Sequence, residues 1–307
     1  MRNTFLKERT ARDIDGQVAK ILQGLGNPDP PIRLEDVRDL LSLDLRYFSS
    51  TDDGLIRELA HNMRVAGKQI LLRPTLLLDA IKTFKLAALY LPDRKRIMID
   101  SSMPPIKQRW GYGHEIGHSI IPWHNNYMLG DDQQTLTPAC HEQLESEANY
   151  AAARILFMQG KFESGVSASS LNFSQVKALS KAFGNSMTTT LWRVVDFLDI
   201  PAIGVISGHP KRILEDFDPA NPCKYFIRSK PFCVQFDHLS ETDLFAIISG
   251  YCKYSKKGPL GSEEVELIDR NGKRHVFLFE TFHNSYDALT LGVYRRPGTF
   301  AISPCTH

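Results

Sequence analysis

Three residues of one short run, His114, Glu115 and His118 in His114-Glu115-Ile116-Gly117-His118, are spaced for metal chemistry. Residues four apart on a helix lie one turn apart on the same face, so both imidazoles can aim a ring nitrogen at one ion. Two neutral imidazoles, a third protein ligand and a position left for water make up the sites of zinc hydrolases. An ion held there lowers the pKa of water from about 15.7 towards roughly 7 and polarises a carbonyl. Glu115, next to the first histidine, then serves as the base that takes the water's proton and hands it to a leaving amine. The chemistry predicted is peptide-bond hydrolysis, with Glu115 catalytic and His114 and His118 as metal ligands. The competing reading, two surface histidines, fits poorly with a helix whose other positions (Trp110, Gly113, Gly117, Ile120) form an apolar face.

The third ligand has two sources. His124 follows His114 by ten positions, the spacing of HExxHxxGxxH, but Ile121 occupies the glycine position needed for that turn. The other source is Leu144-Glu145-Ser146-Glu147-Ala148-Asn149-Tyr150-Ala151-Ala152. At about 100° per residue Glu145, Ala148, Asn149 and Ala152 share one helical face, while Glu147, Ala151 and Arg154 project from another. Alanines opposite Gly117 would let the two helices approach closely, and Asn149 could orient a ligand from behind. Glu145 is therefore taken as the metal ligand, with Glu147 as the fallback; Glu147 otherwise reads as a solvated companion of Arg154. Zn2+ is the default ion for this N/O set, which also accepts Mn2+ or Fe2+.

The elements that position these residues follow from periodicity. Residues 14–25 and 34–41 carry apolar residues at helical spacing, and 45–48 reads as a short strand. Two apolar runs, 87–91 and 96–99, flank the polar turn 92–95 and predict a hairpin. Pro104-Pro105 then opens the helix that carries the histidines, which runs to Pro122. The acidic helix spans 141–159, and 174–182 with 187–198 form a helical hairpin. Residues 50–85 read as partly helical. Beyond Pro201 the texture changes to short apolar runs (203–206, 225–227, 234–236, 265–268, 276–279, 291–294), and Asn271-Gly272 marks a hairpin between two of them. The fold class expected is α+β: a zincin-like metallopeptidase domain over 1–160, a helix-turn-helix-like segment over 161–200, and a β-rich C-terminal sensor or interaction domain over 201–307.

Composition narrows the function classes. Lys plus Arg (37) nearly balances Asp plus Glu (35), so no global field draws the chain onto nucleic acid or an anionic membrane. Five widely spaced cysteines without a C-x-x-C pair fit a reducing compartment, and no secretory signal or membrane span is read; the expected location is cytoplasmic, with no membrane partner. The second helix of the hairpin, Met187-Thr188-Thr189-Thr190-Leu191-Trp192, has no Arg, Asn or Gln near its start to read base edges, so DNA binding is secondary to packing.

The paired motifs resemble those of the ImmA/IrrE metallopeptidases, in which HE-x-GH on one helix precedes a helix of the form E-x-x-A-N-x-x-A-A, here Glu145 to Ala152. The resemblance covers roughly residues 30–200. It implies a gluzincin-like zinc site of His114, His118 and Glu145 with Glu115 as base. It further implies a regulatory endopeptidase of stress response or mobile-element control that cleaves a helix-turn-helix transcriptional repressor, and a GAF-like C-terminal domain. The competing readings are a DNA-binding or ligand-sensing transcriptional regulator, and a toxin-like peptidase with another protein target.

Overall fold

The computed structural model describes residues 5–48, 88–91, 95–124, 138–166, 171–212 and 217–298. The partly helical reading of residues 50–85 lies outside them. Contacts divide the chain into two units, one of Phe5–Lys161 with Phe183–Asn185, the other of Phe162–Ala182 with the residues from Ser186 on.

In the first unit the order is α1 (Glu8–Gly24), α2 (Leu34–Leu41), β1 (Asp44–Phe48), β2 (Ala88–Leu91), β3 (Arg96–Asp100), α3 (Pro105–Ile120) and α4 (Pro138–Leu156). α1 buries one stripe, Ile14, Val18, Ile21 and Leu22, and stops where Gly26 and Asn27 adopt left-handed backbone. The sheet is ordered β1-β3-β2. β2 and β3 pair antiparallel in the register Ala88↔Ile99 to Leu91↔Arg96, which is the expected hairpin, and β1 lies parallel to β3. As the central strand, β3 buries Ile97, Met98 and Ile99 in succession, so it reads as a continuous apolar run rather than an alternation. α3 starts with Pro104 at its cap and Pro105 inside its first turn, where a missing N–H costs nothing. It lies on β2 and β3 and packs along α4. α4 is fastened in turn to α1, because Asp15 accepts from Arg154 Nε at 2.6 Å and from the Tyr150 hydroxyl at 3.1 Å.

In the second unit α5 (Phe173–Phe183) and α6 (Met187–Phe197) precede β4 (Ala202–Ser207), β5 (Cys223–Arg228), α7 (Lys230–Gln235), α8 (Glu241–Tyr251), β6 (Gly258–Ile268), β7 (Arg274–His283) and β8 (Ala288–Pro297). The five strands form one antiparallel sheet, β5-β4-β8-β7-β6. β6 and β7 are joined through Asn271-Gly272, with Gly272 at φ 79°, as the turn signal predicted. α6 covers one face with Leu191, Val194 and Val195; Gly204 of β4 makes room, since a Cβ there would meet Val195 at 3.3 Å. α7 and α8 belong to the other face, where Ile203, Phe226, Phe232, Phe236, Phe277 and Phe279 share the core. The fold is thus mixed α+β with a β-rich C-terminal sheet.

One local reading needs correction. Residues 234–236, taken as a strand, end the helix α7 and its cap. Ser229 caps it by accepting from the Phe232 N–H, Pro231 occupies the first turn, and Phe232 and Phe236, four apart, turn the same way into the core. The helical spacing of those two rings, not the short apolar run, decided the local structure. α8, which periodicity alone did not separate from its surroundings, is fixed by a capping box between Ser240 and Asp243. Among the described residues no helix is long and apolar enough to cross a membrane.

Candidate metal centre

α3 presents His114 and His118 to α4 because the two helices nearly touch. A Cβ on Gly117 would stand 2.7 Å from the Ala148 carbonyl oxygen, and one on Gly113 would meet Leu156 at 3.0 Å. At that separation Glu145, on the facing side of α4, reaches both imidazoles. Its Oε2 lies 3.2 Å from His114 Nε2, its Oε1 3.5 Å from His118 Nε2, and the two Nε2 atoms are 3.2 Å apart. One donor atom from each residue falls within 4.8 Å of the other two.

The other ring nitrogen of each histidine is held from behind. His114 Nδ1 is 3.1 Å from Asn149 Oδ1, the side chain one turn beyond Glu145. With Nδ1–H donating to that oxygen, His114 Nε2 bears a lone pair, directed at an acceptor-only carboxylate. Lone pairs gathered against an anionic oxygen repel unless a cation sits among them, and two imidazoles with one carboxylate form a borderline N/O set suited to a divalent transition ion. The residues present therefore fit the group that the sequence implied.

Electrostatics accompany this geometry. Burial tends to raise the Glu145 carboxyl, but His114 and His118, whose protonated rings would donate to it and carry the opposite charge, outweigh burial and hold the group well below the usual carboxylate range. Burial lowers His118 to about 4 against the pull of Glu145, whereas for His114 the nearby Glu145 and Glu115 outweigh burial and raise it. Glu115, only 5% exposed, is pushed up to about 7, first by burial and further by the charge of Glu145, against lowering by His114 and by the Tyr90 backbone N–H of β2. A carboxyl poised there suits general-base work near neutral pH.

Glu147 and His124, the alternatives considered for the third ligand, lie together behind His118. Glu147 Oε2 accepts from Trp123 Nε1 at 2.6 Å and from His124 Nε2 at 2.9 Å, and its Oε1 accepts from Gln143 Nε2 at 2.8 Å. His124 Nδ1 in turn is 2.9 Å from His118 Nδ1. Glu147 is 1% exposed, not a solvated companion of Arg154, which is paired with Asp15 instead. Sequence reasoning missed this pair. Its signal was thin: a Trp-His dipeptide just past the proline that ends α3, and a second acid two residues from the first.

A two-histidine helix backed by a small sheet and closed by an acidic helix marks the first unit as a domain of the metal-dependent protease class, or of a regulator built on that scaffold. Residues 72–194, the stretch that holds the paired motifs, match the family model of the IrrE N-terminal-like domain, peptidase M78. Among solved structures the chain is similar to a Mycobacterium tuberculosis transcriptional regulator, with 13% identity and a TM-score of 0.53 over 94% of this chain and 78% of that one, a likeness of fold. No curated protein matches the chain.

Proposed function

We propose that the chain is a metal-dependent endopeptidase in which His114, His118 and Glu145 hold one divalent cation, zinc by default, and Glu115 is the general base. The convergence of three N/O donor atoms from two helices is the observation that supports this most. When bound, the cation supplies a Lewis acid and brings the pKa of water towards roughly 7. The chain's own residues do the rest. Asn149 and His124 hold the ligand rings from behind. Glu115, buried beside the donors and fixed by the Tyr90 N–H, receives a proton from water and releases it to the departing amine.

The substrate we infer is a protein, and by resemblance a helix-turn-helix repressor, so that cleavage would release the genes it silences. The peptidase domain is placed at 1–160, the helical segment at 161–200 and a GAF-like sensor or interaction domain at 201–307, in a cytoplasmic protein. For the helical segment, packing is favoured over DNA reading: α6 turns Leu191, Val194 and Val195 to the sheet, and Arg193 is buried against Asp196 and Glu163.

Elemental analysis of the purified protein tests the site. About one metal per wild-type chain is expected, with loss in both His118→Ala and Glu145→Ala. Wild-type protein that takes up no zinc after gentle purification and zinc addition would sink the metallopeptidase reading.

A further inference from the structure

We propose that His124 and Glu147 are positioning residues, a buried relay that fixes the tautomer of His118 so that its Nε2 lone pair faces the ion. This rests on the reading of His118 as a metal ligand.

Both residues are buried, His124 fully and Glu147 to 1% exposure, and each polar atom that they carry has a partner. The direction of the relay follows from its end. An ionised carboxylate only accepts, so His124 Nε2, at 2.9 Å from Glu147, must donate. A neutral imidazole that donates through Nε2 offers Nδ1 as an acceptor. The atom 2.9 Å from that nitrogen, His118 Nδ1, must then carry its proton. His118 Nε2 is left bare, and it is the nitrogen that faces Glu145 and His114. Run in reverse, the relay would push an N–H from His118 into the space between the donors, where it would exclude a cation.

Trp123 contributes by occupying Glu147 from the neighbouring position, and Gln143 from one turn earlier on α4, so the carboxylate is held on three sides. The two ligand histidines are thus backed differently. His114 leans on a neutral amide, His118 on an imidazole that leans on a charge, and a carboxylate behind a ligand imidazole raises its basicity towards the metal.

The test uses the full-length chain labelled with 15N-histidine and loaded with zinc alone. Long-range 1H–15N correlations in the wild type should show His118 protonated at Nδ1 and bound through Nε2, and His124 protonated at Nε2 with Nδ1 bare. Zinc affinity by competition with a chromophoric chelator should fall about 10–100-fold in His124→Phe, with a smaller loss in Glu147→Gln, whose amide oxygen still accepts but carries no charge. His118 bound through Nδ1, or His124→Phe with wild-type affinity, would overturn the relay while zinc loss in His118→Ala left the metal site standing. A wild type without zinc binding would overturn both. The spectrum of the wild type decides even if the variants do not fold.

Discussion

Glu115 combines two demands that pull against each other. The proposed role of base asks it to ionise near neutral pH, yet it is 5% exposed and its carboxyl is pushed up to about 7 by burial. A carboxyl whose pKa is higher in the folded than in the unfolded chain favours the fold below about 4.5 and loses that contribution as pH rises to about 7. In chelator, Glu115→Gln should therefore match wild type near pH 4.5 and be more stable at pH 8, by up to about 3 kcal/mol. Urea denaturation at the two pH values checks this; a variant less stable than wild type at pH 8 would contradict the burial argument. The same variant should keep its metal and lose cleavage by at least about 100-fold, measured on the protein substrate once found. That the rings of His114 and His118 come together was legible from spacing alone, since i and i+4 share a helix face. Its backing by His124 and Glu147 was not, because sequence spacing gives no distance between a residue past the end of one helix and the middle of another.

At the scale of elements, the closeness of α3 and α4 is set by Gly117. A methyl group there would lie 2.7 Å from the Ala148 carbonyl oxygen, which belongs to the backbone and cannot rotate away. Gly117→Ala should destabilise the protein by about 1–3 kcal/mol and weaken zinc binding, because Glu145 would be carried away from both imidazoles. Denaturation and chelator competition on one sample measure the two effects; unchanged stability would mean that the helices can part at no cost. Ala148 opposite Gly117 was readable in the sequence, as was the β2–β3 hairpin on which α3 rests, whereas Ala151, read as projecting from another face, also lies against Gly117. α7 was not, since so short a run as Val234-Gln235-Phe236 suits a strand and a helix end equally, and Ser229 and Pro231 carried the information that separates them.

For the whole molecule, a formal net charge of +2 leaves little long-range attraction for a polyanion, and α6, the helix best placed in sequence to enter a groove, turns its apolar side to the sheet. Anisotropy titration of a labelled duplex should show no binding near physiological salt and, at low salt, only weak association that falls steeply as salt is added. Tight, salt-resistant binding to one sequence would restore the DNA-reading alternative. The C-terminal sheet was visible as a change of texture after Pro201, with its β6–β7 turn given by Asn271-Gly272, whereas the strand order β5-β4-β8-β7-β6 depends on pairings between distant segments. Local patterns leave such pairings undetermined.

Within five residues α4 serves three directions: Glu145 towards His114 and His118, Glu147 towards His124 behind His118, and Asn149 towards the back of His114. These roles are tied to a single rotational phase. One residue inserted between Glu145 and Asn149 would turn everything after it by about 100°, detaching Asn149 from His114 and, if placed before Glu147, Glu147 from His124. Along this stretch natural variation should thus run to exchanges of side chain, with changes of length confined to the segments outside the helix.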